Sequence, residues 1–127
     1  MSLSDSDLSH FRNKGHVTVN GVLSAEQVEA LLRDIEAWSS EVLAGMAADD
    51  RKWYIDQEAS GGDVLSDRAV LRKLDDPVFH RPVCRSLAGN ARLVEMVESV
   101  IGPGLSVAFS QVFMKPGGGG GPKPLHQ

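Results

Sequence analysis

Residues 105–115 read LSVAFSQVFMK, and the alternation within them decides the fold class. Side chains alternate across an extended segment. Leu105, Val107, Phe109, Gln111, Phe113 and Lys115 therefore share one face, and Ser106, Ala108, Ser110, Val112 and Met114 share the other. This is the one long strand candidate in the chain. A strand needs partners to be stable, and the other β-prone stretch is residues 16–23, broken by the Asn20-Gly21 turn signal. Everything between the two reads as helix or loop. The expected class is α+β, with N-terminal helices leading into the first strands of a sheet.

The helices announce their own ends. Asp5 to Lys14 carries Leu8 and Phe11 three apart, and Gly15 is its stop. Ser24 and Gln27 form a capping box in front of a long apolar stripe. That stripe is Val28, Leu31, Leu32, Ile35, Trp38, Val42, Leu43 and Met46, at helical spacing. The residues from Asp49 to Asp63 read as polar and irregular, and residues 66–74 as a short helix. Asp76-Pro77 begins another helix whose course Pro82 bends or delays. Asn90 caps a last helix that ends at Gly102-Pro103.

The 127 residues suit one domain. Hydrophobic content of 42% and charged content of 24% fit a globular class. A net charge of -4 argues against a nucleic-acid partner held through phosphates. The acids all precede Gly102, and the cations after it are Lys115 and Lys123. Cys84 is the single cysteine, so an internal disulfide is excluded, in keeping with a reducing, cytoplasmic setting. The polar, acidic start does not read as a signal peptide, and no apolar run reaches membrane-spanning length.

Three segments, in order, carry a resemblance. FRNKGHVTVNGVLSAEQVEALLRDI (11–35) gives a phenylalanine, a glycine, a short β-prone stretch and a capped helix. DDPVFHRPVCRSLAGNARLVEMVESVIGPGL (75–105) gives paired helices ending in Ile-Gly-Pro, and SQVFMKPGGGGGPKPLHQ (110–127) a strand and a glycine-rich loop. Together they resemble the phytanoyl-CoA dioxygenase family of Fe(II)- and 2-oxoglutarate-dependent oxygenases. The resemblance implies a double-stranded β-helix, or jelly roll, of which this chain is the N-terminal portion. In that family the loop ends in His-Gln-Asp. His126 and Gln127 match, and the sequence stops where the aspartate is expected.

The resemblance also implies a chemistry. Fe(II) activates dioxygen, 2-oxoglutarate supplies two electrons and leaves as succinate and carbon dioxide, and a C–H bond of a small organic substrate is hydroxylated. His126 would be an iron ligand. Lys115 would pair with a carboxylate of the cosubstrate, and Gln111, on the same strand face, would reach cosubstrate or substrate. Such iron sites use two histidines and one carboxylate. Two residues beyond His10, His16 and His80 stand Arg12, Thr18 and Pro82, so this chain holds no complete His-x-Asp/Glu pair. These 127 residues alone are therefore expected to bind neither Fe(II) nor 2-oxoglutarate specifically.

The glycine run 117–121 lacks the Gly-Lys-Ser/Thr ending of a phosphate loop and leads into no helix. Trp53 and Tyr54 are expected to pack on the long helix, and Cys84 to be buried and inert. Self-association through exposed apolar surface is a further expectation. The alternative reading is a non-enzymatic helical interaction module or the product of a degraded gene.

Overall fold

A computed structural model describes residues 2–117 and 120–122. The elements are α1 (Asp5–Lys14), α2 (Ala25–Gly45), α3 (Ala48–Tyr54), β1 (Lys73–Asp75), α4 (Pro77–His80), α5 (Pro82–Ala88), α6 (Ala91–Ile101) and β2 (Gln111–Phe113). They divide between two compact units. The first is Met1–Leu32 with Val78–Phe109, and the second is Arg33–Pro77 with Ser110–Gln127. The class is α+β, with a two-stranded antiparallel sheet among the described residues.

In the first unit the helix ends satisfy their own backbone groups. The Ser4 hydroxyl accepts from the Asp7 N–H, and the Asp7 carboxylate accepts from the Ser4 N–H in return. Gly15 closes α1 in the left-handed region at φ 78°, where a Cβ would be strained. Ser24 and Gln27 exchange the same reciprocal pair of bonds, 2.9 and 3.2 Å, at the start of α2. The Asn90 side chain accepts from both Arg92 and Leu93 N–H groups at the start of α6. Pro82 opens α5 instead of bending a continuous helix, because its missing N–H costs nothing in a first turn. Cys84 and Met96 are the buried apolar residues of this unit, so the expected burial of Cys84 holds.

The second unit is built around one apolar cluster of Trp38, Ile55, Ala69, Leu71 and Leu74. Val112 and Met114 pack against it from the far end of the sequence, and Tyr54 and Val64 from its middle. Ile55 and Leu74, only 1% and 2% exposed, are its centre. Leu74 pairs with Val112 across the β1–β2 ladder. Two further backbone bonds extend that pairing, Asp76 N–H to Ser110 O at 2.7 Å and Met114 N–H to Arg72 O at 2.8 Å. On the other side Ile55 bridges Leu71, flanked by Asp56 N–H to Val70 O and Arg72 N–H to Tyr54 O.

Several expectations are corrected. Residues 66–74 are not helical: they form turns, a bridge at Leu71 and then β1. The 3-residue spacing of Leu71 and Leu74 mimics a helical face, yet both are buried from an extended chain. The strand expected over 105–115 is regular only at Gln111–Phe113, and its partner is β1 rather than residues 16–23. The stretch from Asp49, expected to be irregular, begins inside α3. Trp53, expected to pack on the long helix, is 62% exposed, whereas Tyr54 packs against the core cluster.

Leu105, Val107, Phe109 and Phe113 present apolar side chains to solvent, Phe109 most of all at 73% exposure. Among the described residues no helix is long and apolar enough to cross a membrane.

Candidate functional site

Of the candidate residues Gln111 lies in strand β2 and Lys115 just beyond it. Register with β1 turns Val112 toward the core and leaves Gln111 and Phe113 outward. Lys115, two residues on, lines a pocket of about 510 Å³ in the second unit. A pocket of that size accommodates a small organic ligand. Its walls include Lys52, Arg72, Phe113 and Met114 beside Lys115, with Asp56 and Glu58 opposite in charge.

The charges are not equivalent. Asp56 is 5% exposed and already engaged. Its Oδ1 accepts from the Ala59 N–H at 2.9 Å, and the Gly121 N–H donates to both carboxylate oxygens at 3.1 and 3.3 Å. The Ala59 bond is the main reason the carboxyl lies below its ordinary value; the Gly121 and Glu58 amides and the Arg72 charge act the same way, against the effect of burial. The Arg72 guanidinium also donates to Trp53 O, and the Lys52 ammonium stands over the Trp53 ring. Lys115 is exposed and has no hydrogen-bond or ion-pair partner among the described residues. With Asp56 held by amides, the pocket offers three cations against one carboxylate that no described amide engages, Glu58.

Gln111 is not brought to this pocket. Its amide donates to Asp75 Oδ1 at 2.6 Å. The Tyr54 hydroxyl donates to Asp75 Oδ2 at 2.9 Å, and the Lys73 ammonium lies 3.2 Å from the same oxygen. Burial pushes the Asp75 carboxyl up, but these three donors outweigh it and hold the group below its usual range. The hydrogen bond to that carboxylate is also the main cause that raises the Tyr54 phenol. Lys73 completes the cluster by sitting over the Tyr54 ring at 5.0 Å. Gln111 is thus engaged in a polar brace across β1 and β2.

His126 lies outside the described residues. Among the described residues no three His, Cys, Asp or Glu side chains converge as a metal would need. His10 and His16 face each other edge to ring at 5.2 Å in the first unit. The described side chains therefore do not by themselves make an iron site.

Sequence reasoning missed Asp56, Asp75, Lys73 and Arg72, and gave Tyr54 a packing role without its bond to Asp75. A lone aspartate after an isoleucine gives no signal in one dimension; its role comes from a glycine 65 positions later. No protein-family profile, curated protein or solved structure matches the chain.

Proposed function

We propose that this chain carries the cosubstrate side of an Fe(II)/2-oxoglutarate-dependent dioxygenase that hydroxylates a small organic substrate, on a jelly-roll domain. The observation that supports this reading is Lys115, exposed on a pocket wall with Arg72 and Lys52 and no partner among the described residues. An ammonium in that setting pairs with a carboxylate, and 2-oxoglutarate carries two. The apolar Phe113 and Met114 beside it suit the short methylene stem between them. Iron, when bound in such an enzyme, supplies dioxygen activation, and the resemblance assigns a ligand role to His126. The residues of this pocket hold and orient the acid.

With iron ligation outside the described residues, cosubstrate affinity rests on charge pairing at an open surface, which is weak. The sequence alone leads to no specific binding by these 127 residues; the pocket revises that expectation to weak, millimolar association of 2-oxoglutarate with the chain, read by isothermal titration or ligand-observed NMR. Lys115→Ala should abolish it and Lys115→Arg should retain part of it. Equal affinity in wild type and Lys115→Ala would overturn the assignment.

A further inference from the structure

The second unit contains a contact that neither the resemblance nor the cosubstrate assignment uses. Asp56 sits in the bridge region between α3 and β1, and its carboxylate is almost wholly withdrawn from water. A buried carboxylate needs donors, and Asp56 takes one from its own turn, Ala59, and one from far along the sequence, Gly121. The second is the backbone N–H of Gly121, which itself lines the pocket wall. Gly120, just before it, is at φ +109°, a conformation that glycine alone adopts at little cost. A Cβ there would lie 3.2 Å from Lys115 Cγ and 3.3 Å from Asp56 Oδ2. Both approaches are tighter than ordinary side-chain contacts. The space a Cβ would take at Gly120 is thus bounded by the Lys115 stem on one side and by Asp56 on the other.

We propose that Asp56 is a positioning residue for the pocket: by gripping the Gly121 amide it packs Gly120 against the Lys115 stem and so fixes where that ammonium meets an anion. The proposal rests on the reading of this pocket as a 2-oxoglutarate site. It assigns the glycines a role different from a phosphate cradle. The Gly121 N–H faces a protein carboxylate, and the smallness of Gly120 lets the backbone lie between Asp56 and Lys115. Asp56 itself makes no contact with the ligand, because its oxygens are engaged by Ala59 and Gly121. Its negative charge, moreover, would repel a carboxylate if it were released into the pocket.

The test uses the full chain and three variants: Asp56→Asn, Gly120→Ala and, as a control, Glu58→Gln. Amide hydrogen exchange at Gly121, followed by NMR, reports the grip directly. Asp56→Asn should speed that exchange at least tenfold while the α2 amides keep their protection. The same variant should weaken 2-oxoglutarate about tenfold. Gly120→Ala keeps the Asp56 carboxylate in the sequence but crowds it and the Lys115 stem, and should weaken the ligand comparably, with Ala59 still protected. Glu58→Gln should leave Gly121 exchange unchanged and not weaken the ligand. Unchanged Gly121 exchange in Asp56→Asn would overturn the proposal. So would faster exchange with unaltered 2-oxoglutarate affinity in both Asp56→Asn and Gly120→Ala. If the wild-type chain takes up no 2-oxoglutarate, the cosubstrate reading falls, while the exchange rate of Gly121 still decides whether Asp56 holds the segment.

Discussion

Asn90 and Ile55 stand for two ways of holding a chain in place. In the first unit Asn90 caps α6 through bonds to residues two and three positions away. In the second unit Ile55 is buried against Trp38, Leu71 and Leu74, with Val112 packed on the same cluster. The helix caps of the first unit act between neighbours, although the unit itself joins residues 1–32 to 78–109, as in the Arg92 guanidinium donating to Gly21 O. Order in the second is assembled from residues brought together across most of the sequence, and the pocket with Lys115 belongs to that second kind. A site built on long-range contacts should fail when its core fails, whereas local caps should be removable one at a time.

The largest expected effect follows from that contrast. Ile55→Ala removes a side chain that has almost no exposed surface and should cost about 2–5 kcal/mol, the range of large-to-small core substitutions. Urea unfolding should show the loss, and ligand binding at Lys115 should go with it. Arg51 is next. Its guanidinium donates to Val64 O, Ser66 O and Leu43 O, fastening the turn region to the end of α2. Arg51→Met keeps the stem and leaves three carbonyls without that donor, at a cost of about 2 kcal/mol. Asn90→Ala should cost less, about 1 kcal/mol as for other N-caps, and should leave the pocket unaffected. If Asn90→Ala proved as damaging as Ile55→Ala, the division into local and long-range order would be wrong.

The smallest effect is a pH dependence. Asp75 and Asp56 both lie below the ordinary carboxylate value of 3.8 in the folded chain. A depressed folded pKa contributes stability that is present above the unfolded value and is lost as pH falls through the folded one. The second unit should therefore weaken below about pH 4. Asp75→Asn should flatten that acid limb in a series of urea melts followed by tryptophan fluorescence. Tyr54 works from the other side: its raised phenol contributes stability that is complete below 10.0 and lost as pH climbs through the folded value. Tyr54→Phe should remove this alkaline loss.

The same contrast explains which parts of the fold could be read in one dimension. Ser24-Gln27, Asn90 and Gly15 act on neighbours within a turn, so their chemistry is visible in sequence order. β1 is three residues long, Lys-Leu-Asp, and nothing local marks it as a strand. It is extended because Val112 lies opposite Leu74 and because Ile55 bridges Leu71 just before it. The period of two over 105–115 located β2 but overstated its length, since ladder pairing exists only where β1 can reach. Within the site, the face shared by Gln111 and Lys115 was legible from alternation. Which of them meets the pocket was not, because Asp75, 36 positions before Gln111, captures its amide.

Chemical-shift mapping of the full chain with 2-oxoglutarate, residue by residue in ¹H–¹⁵N NMR, tests the central assignment most directly. The account predicts shifts at Lys115, Gly121, Arg72 and Phe113 in the second unit, with the first unit unmoved. Shifts gathered instead along the apolar groove of Leu31, Val83 and Leu87 in the first unit, or none at saturating ligand, would contradict it.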